Sequence, residues 1–197
     1  MRTFILRALK AKTDWSFDLD SLPKEGRLDL VCRFISNCLF ISNNLRKDTI
    51  VKVCLDGPSL QPKLIIFNGE TLKGIEPDER NIANHIKNAL KKARNLKLNE
   101  FINLNNGIIV KKQSFEALVK EEKNLIYLHK KGLDIRKFKF EEDNTFVFGD
   151  YIGMPRKTEK LLDRLNAKRI SLGPIMLFAS HCPVIIHNEL DRLGPVV

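Results

Sequence analysis

Short runs rich in β-branched residues alternate along this chain with segments whose apolar residues recur every three or four positions. The first pattern is typical of buried strands, and the second of helices that pack one face against a sheet. Strands that alternate with helices predict an α/β fold with a mostly parallel sheet. The runs predicted to be strands are residues 3–9, 49–55, 63–68, 107–112, 124–129, 144–149 and 167–172.

Helices are predicted in the intervals between strands. One lies within residues 26–42 and a short one covers residues 114–122. Asp78 is predicted to cap a further helix, and Thr158 another, because both residue types accept the free N–H groups of a first turn. The sequence contains no internal repeat or low-complexity linker, so residues 1–197 are predicted to form a single domain.

Three predicted loops that follow strands carry glycines. The loop LHKKG, with Gly132, follows the strand that ends at Tyr127, Gly149 and Gly153 follow the strand that ends at Phe148, and Gly173 follows the strand that ends at Ile170. Ligand sites in open parallel sheets lie at the carboxyl ends of strands, and glycine lets the backbone approach a flat ligand closely. None of these loops matches the GxGxxG or Walker A patterns, so phosphate binding by such a loop is not indicated.

The most apolar stretch of the chain covers residues 175–186. It is too short and too polar in its middle to span a bilayer, which takes roughly 20 apolar residues. Pro174 suits the first position of a helix, so the sequence predicts a buried helix that begins after Gly173. Because apolar residues lie on nearly every face of this helix, we expect it to pack against the sheet and against a second subunit, as in a homodimer.

Ser180, His181 and Cys182 lie at the centre of that stretch. Consecutive residues of a helix point about 100 degrees apart, so these three cannot form a nucleophile and its base. At such an apolar site Cys182 is most often a small core residue, and His181 a buried, hydrogen-bonded histidine. A hydrolase is therefore disfavoured.

Lysine and arginine number 34 against 24 acidic residues, which gives a net charge of +10. An excess of this size favours a polyanionic partner, RNA or DNA above all, because phosphate contacts release counterions. The alternative is that the charge serves solubility and the dipoles of helix ends.

The cysteines suggest neither a disulfide framework nor a metal site. Cys32, Cys38, Cys54 and Cys182 form no CxxC pair and have no histidines at zinc-ligand spacing. We expect a protein of the reducing cytoplasm that binds no metal.

The motifs ISLGP at residue 170, the GDYIG loop at Gly149 and the segment LFASHCPVIIHNELDR together resemble the SPOUT class of S-adenosylmethionine-dependent RNA methyltransferases. Within that class the chain is similar to the archaeal tRNA pseudouridine-54 N1-methyltransferase family. The stretches GRLDLVCRFISNCLFIS, LRKDT and FNGETLKGIEPDER extend the likeness over nearly the whole chain.

The resemblance implies a fold that periodicity does not reveal, namely a C-terminal trefoil knot in the α/β domain. It also implies a homodimer that forms through the C-terminal helix, and S-adenosylmethionine held by the knot loops. The residues that the resemblance assigns to the cofactor are Leu128, Gly149, Gly153, Leu172, Gly173 and Cys182.

The reaction implied is methylation of N1 of pseudouridine 54 in the T-arm of tRNA. Two alternatives stay open: a ribosomal RNA pseudouridine N1-methyltransferase, and a non-catalytic RNA-binding module of the same fold. The chemistry needs a group that favours loss of the N1 proton. The candidate acids and bases are Asp78, Glu79, Asp150, Glu189 and Asp191, of which Asp78 is predicted to lie near the base.

Arginines near the first helix are candidates for contact with RNA. Asp29, Arg33 and Asn37 fall at four-residue spacing and form one polar stripe, which is either an ordinary ion pair on a solvated face or part of an RNA surface. With Arg27 and Arg46 close in sequence, the second interpretation is favoured, and Arg27, Arg33 and Arg46 are predicted to contact RNA.

Overall fold

The computed structural model describes residues 1–98 and 100–194. Its elements, in chain order, are β1 (Arg2–Ala8), α1 (Leu28–Leu39), β2 (Phe40–Ile41), β3 (Asn44–Leu45), β4 (Thr49–Leu55), β5 (Lys63–Asn68), α2 (Glu79–Lys92), β6 (Phe101–Asn103), β7 (Ile108–Lys111), α3 (Phe115–Glu121), β8 (Leu125–Asp134), β9 (Asn144–Gly149), α4 (Arg156–Arg164), β10 (Lys168–Ser171) and α5 (Cys182–Leu193).

Eight of the strands form one sheet, in the order β10-β8-β9-β1-β4-β5-β7-β6. The five strands from β10 to β4 are parallel, and β5, β7 and β6 continue the sheet in antiparallel pairs. Strands β2 and β3 pair separately as a small hairpin. This architecture confirms the predicted α/β fold with a mostly parallel sheet. The trefoil knot stays a prediction.

Helices cover both faces of the sheet, so the central strands are buried on both sides. Phe4 of β1 packs in a core with α1, α2 and α5, whereas the next residue, Ile5, packs with α3 and α4. Both side chains are fully buried. This burial explains why residues 4–6 of β1 are all apolar, as is common in strands of parallel sheets.

The helix caps predicted from sequence are partly confirmed. Asp78 caps α2 through its carboxylate, which accepts the N–H of Asn81 at 2.8 Å. The prediction for Thr158 was wrong, because α4 begins at Arg156 after Pro155 and Thr158 lies inside its first turn. There the Thr158 hydroxyl accepts a hydrogen bond from the guanidinium of Arg7, so its side chain bonds to strand β1 and does not cap the helix.

The predicted helix over the apolar stretch was also wrong. Helix α5 begins only at Cys182, and Ser180 and His181 precede it. The physical reason is Pro183, which within a helix begun at Pro174 would lose a hydrogen bond and clash with the preceding turn. At the start of α5 its missing N–H costs nothing. Residues 174–179 instead form an irregular strap whose apolar side chains are largely exposed, with Met176 at 77%.

Candidate cofactor cleft

A cleft of about 520 Å³ opens at the carboxyl ends of β9 and β10 and beside residues 127–130 in the middle of β8. The loops that follow these two parallel strands meet there, as the position of ligand sites in such sheets predicts. All the residues assigned to the cofactor from sequence line this one cleft: Leu128, Gly149, Gly153, Leu172, Gly173 and Cys182. Their contact with a cofactor stays a prediction.

The wall next to β9 is built from closely packed backbone. A β-carbon placed on Gly149 would lie 2.7 Å from the carbonyl carbon of Gly153 and 2.8 Å from the backbone nitrogen of Met154. Such distances leave no room for a side chain, so only glycine allows this loop to fold back on β9. Gly153 closes the turn with a φ of 86°, and its N–H donates to the Asp150 carbonyl oxygen at 2.9 Å.

The opposite wall is the strap of residues 174–179. Ser171 fixes its start, because the Ser171 hydroxyl donates to the Gly173 carbonyl oxygen at 3.0 Å. Cys182 fixes its end, with Sγ donating to the Phe178 carbonyl oxygen at 3.4 Å. Burial raises the pKa of the Cys182 thiol to about 11, so it is protonated near neutral pH and suited to packing rather than to nucleophilic attack.

Two carboxylates line the cleft. Glu159, in the first turn of α4, accepts a hydrogen bond from the Tyr127 hydroxyl at 2.9 Å. The sequence interpretation missed Glu159, although its place in the first turn of a helix that follows a strand-end loop was a signal. Asp150 was among the candidate acids and bases. Its two carboxylate oxygens accept the N–H groups of Leu9 at 2.7 Å and Ile152 at 2.9 Å.

A recess of about 20 Å³ adjoins the cleft beside the N-terminal end of α1. Arg27, Tyr151 and Phe178 line it, and it shares Asp150 and Ala179 with the cleft. The Arg27 guanidinium lies 5.6 Å from the centre of the Tyr151 ring, a cation–π arrangement. The recess therefore combines a cation, an aromatic ring that is half exposed, and a carboxylate.

Asp78 does not line the cleft or the recess. Its carboxylate is occupied by the capping bond of α2, and the side chain is at the protein surface. A capping role and a catalytic role are both open to Asp78 from its sequence position, and the capping role is the one that this geometry displays. A role as base stays a prediction.

Each arginine predicted to contact RNA has a carboxylate partner within the protein. Arg27 pairs with Asp29 through two N–H groups at 2.9 and 3.0 Å. Arg33 pairs with Glu79 and lies 3.4 Å from Asp29. The third, Arg46, is held by Asp191, at 2.7 and 3.2 Å. Of the three, Arg33 is the most exposed, at 47% of its side chain, and so the most accessible to a phosphate.

Within residues 1–98 and 100–194, no three histidine, cysteine or carboxylate side chains are grouped so as to hold a metal ion. In the same part of the chain no helix has the length and apolarity to cross a membrane. All four cysteines are free and buried.

Comparisons with known proteins identify the family of this chain. Residues 1–194 match a family model described as "Putative SAM-dependent RNA methyltransferase". The chain belongs to this family.

Named relatives are similar over their full length. The tRNA (pseudouridine(54)-N(1))-methyltransferase of Methanocaldococcus jannaschii is 42% identical, with 98% of this chain and 97% of the relative covered. The protein of the same name from Methanococcoides burtonii is 39% identical, with 98% and 96% covered. Among solved structures, Archaeoglobus fulgidus Nep1 bound to S-adenosylhomocysteine has a similar fold, with a TM-score of 0.65, 14% identity and 97% of each chain covered.

Proposed function

We propose that this protein transfers a methyl group from S-adenosylmethionine to N1 of pseudouridine 54 in tRNA. The observation that carries the proposal is the cleft at the ends of β9 and β10 and beside the middle of β8, where the residues assigned to the cofactor come together. The relatives that bear this activity in their names, at about 40% identity over almost the whole chain, support the choice of substrate.

The cleft suits S-adenosylmethionine in volume and in chemistry. Its volume lies in the range of ligand pockets, about 300–1,000 Å³. Leu128 and Leu172 offer apolar sides for an adenine ring, and Gly149 adds backbone to the lining of the cleft. The Glu159 carboxylate suits a cofactor with positive charge on its sulfur and its amino group. Bound there, the cofactor supplies an electrophilic methyl group on a sulfonium sulfur.

The protein's own residues have three tasks in such a reaction: to hold the donor, to hold the target base in line with it, and to accept a proton. The loops of the cleft perform the first task. The recess beside Arg27 and Tyr151, which meets the cleft at Asp150 and Ala179, is suited to the second. Arg27, Arg33 and Arg46 are proposed to contact the RNA backbone, with Arg33 the most accessible.

We further propose that the protein acts in the cytoplasm as a homodimer of single-domain subunits, each with a C-terminal trefoil knot. The apolar side chains exposed on the strap and on α5, Phe178 at 65% and Val184 at 52%, favour a second copy as the partner that covers them. Free, buried cysteines are in keeping with a reducing compartment.

The experiment that tests the function is transfer of labelled methyl from S-adenosylmethionine to tRNA that carries pseudouridine at position 54, followed by nucleoside mass spectrometry. The same tRNA with uridine at that position is the control. We expect 1-methylpseudouridine from the first RNA alone. Binding of the cofactor without transfer to either tRNA would point to ribosomal RNA, and failure to bind the cofactor would favour a non-catalytic RNA-binding module.

A further inference from the structure

Asp150 stands where the cofactor cleft and the recess meet. It lines both cavities, whereas the other carboxylate of the cleft, Glu159, does not line the recess, and Arg27 of the recess does not line the cleft. A methyl group that passes from a donor in the cleft to a base at the recess must cross this boundary. Asp150 is therefore the acidic side chain best placed to touch the reacting nitrogen.

The carboxylate is held rigidly and keeps the capacity to accept a proton. The N–H of Leu9 fixes one oxygen and the N–H of Ile152 fixes the other. A carboxylate has about four lone-pair sites, so both oxygens retain a free site. A fixed acceptor of this kind loses little in reorganisation when a base is bound, which is what a positioned general base requires.

The surroundings of Asp150 favour its protonated form relative to a solvated aspartate. Burial is the main cause and raises the pKa of Asp150, while the two backbone N–H groups and the charge of Arg7 act in the opposite direction. Asp56, which follows β4, adds a like charge nearby and is itself paired with Arg7. On the recess side Arg27 is neutralised by Asp29, and on the cleft side Glu159 is bonded to Tyr127.

The size of the recess limits how the target base can lie. A space of about 20 Å³ holds about one water molecule, so it can receive the edge of a ring and not the whole ring. The half-exposed ring of Tyr151, with Arg27 beside it, offers a surface on which an unstacked base can lie. The edge that enters the recess then faces Asp150.

From these relationships we infer that Asp150 is the general base of the reaction and accepts the N1 proton of a pseudouridine that lies on Tyr151. This inference rests on the proposed function. In the step, the N1–H bond breaks and its proton passes to a carboxylate oxygen of Asp150. The electron pair of N1 forms a bond to the methyl carbon, and the carbon–sulfur bond of the donor breaks with its electrons left on sulfur. The products are 1-methylpseudouridine, S-adenosylhomocysteine and protonated Asp150.

A competing explanation is that Asp150 only shapes its loop, since its bond to the N–H of Ile152 is that of an Asx turn. Three measurements separate the two roles. In Asp150→Asn we expect kcat to fall about 100-fold or more, the usual contribution of a general base, with unchanged calorimetric affinity for S-adenosylhomocysteine. In Asp150→Ala we expect added formate to restore part of the lost rate. In the wild type kcat should fall on the acid side as Asp150 is protonated, and this limb should be absent from Asp150→Asn.

A fourth measurement needs no turnover. In protein labelled with ¹³C at aspartate carboxyl carbons, the signal lost in Asp150→Asn should titrate with a pKa above that of an ordinary aspartate. It should shift when tRNA with pseudouridine 54 is added without cofactor, and not with a tRNA that lacks a T-arm. The matched controls are Glu159→Gln, which lines only the cleft, and Asp78→Asn, and neither should remove the acid limb.

The outcomes distinguish this inference from the function on which it rests. An active wild type whose Asp150→Asn variant keeps its rate, or loses it together with cofactor affinity and without rescue by formate, would overturn the role of Asp150 alone. A wild type that forms no 1-methylpseudouridine would overturn the proposed function, and this inference with it.

Discussion

The side-chain amide of Asn37 donates a hydrogen bond to the carbonyl oxygen of Ser180 at 2.7 Å. Asn37 lies on α1, and Ser180 is the buried residue at which the strap turns into α5. One side chain thus ties the strap that forms a wall of the cleft to a helix on the face of the sheet. The shape of the cleft depends on this tie, because the strap has no regular secondary structure of its own.

Substitution of Asn37 should therefore affect both stability and cofactor binding. Asn37→Ala leaves the Ser180 carbonyl without its donor, which should lower the free energy of unfolding by about 1 kcal/mol. We also expect several-fold weaker binding of S-adenosylhomocysteine and faster hydrogen exchange in residues 174–181. Asn84→Ala, at an exposed position on α2, is the control and should change none of these. Normal exchange in the strap of Asn37→Ala would contradict this account.

Gly149 should tolerate no side chain. In Gly149→Ala the new methyl group would meet backbone atoms of Gly153 and Met154 at less than 3 Å, so the loop must move away from β9. We expect at least a tenfold rise in the calorimetric Kd for S-adenosylhomocysteine. Gly74→Ala is the control, because its added methyl group has nothing within 4 Å, and its cost comes from a positive φ that Gly149 does not share. It should cost about 1 kcal/mol of stability and leave the Kd unchanged.

Buried His187 should make the fold less stable in mild acid. Its Nε2 bonds the Cys38 carbonyl oxygen at 2.9 Å, and its Nδ1 lies 3.0 Å from the Arg2 guanidinium. Burial, with the charges of Arg46 and Arg2 and against that of Asp191, lowers the pKa of His187 from 6.5 to about 4. The unfolded chain therefore binds this proton first. The stabilisation is complete above about pH 6.5 and is lost as the pH falls towards 4.

The size of this effect is measurable by urea unfolding. Between pH 7.5 and 4.5 the wild type should lose roughly 2 to 3 kcal/mol through His187. His187→Gln keeps a hydrogen-bonding side chain but cannot titrate, so its stability should change less over the same interval. The difference between the two proteins removes the contribution of other groups, such as Asp56 and Asp150, whose raised pKa values act in the opposite direction. Equal losses in both proteins would rule out His187 as the group responsible.

Substitution of Arg33 and substitution of Glu79 should change the affinity for tRNA in opposite directions. If Arg33 contacts a phosphate, Arg33→Gln should weaken tRNA binding and reduce the slope of log Kd against log salt by about 0.7 to 0.9. Glu79→Gln should strengthen binding about two- to fivefold, because it frees Arg33 from its ion pair. Filter binding at three salt concentrations measures both. The gain should vanish in the double variant, and a gain that persists there would mean that Glu79 acts independently of Arg33.

The features that the sequence predicted correctly are those set by interactions between residues close together along the chain. Strands β4 and β5 were predicted with their observed bounds, because alternating apolar runs and the turn between them are local signals. The cap of α2 by Asp78 is likewise settled within four residues. Helix α5 was misplaced because the apolar character of residues 175–181 was weighed above a single proline, Pro183.

The part of the site that lies at the ends of strands could be predicted from the sequence. Gly149 and Gly173 meet at one cleft because parallel strands end at the same edge of the sheet. The recess was not predictable, since it depends on Arg27 approaching Tyr151, a residue more than a hundred positions away. Glu159 was missed for a similar reason, because its bond to Tyr127 joins helix α4 to strand β8 of the sheet. Such contacts are set by packing, which leaves no periodic trace in a sequence.

Substitution of Val184 should decide whether a second copy covers the exposed apolar side chains of α5. Val184 is 52% exposed on that helix, and Leu193, its last residue, is 64% exposed. If these side chains are buried between two subunits, Val184→Glu places an unpaired charge in an apolar interface, which is strongly unfavourable. Light scattering coupled to size exclusion should then report a dimer for the wild type and a monomer for Val184→Glu. Leu60→Glu, at a comparably exposed apolar position between β4 and β5, should stay dimeric. A monomeric wild type, or a dimer that survives Val184→Glu, would show that α5 does not form the interface.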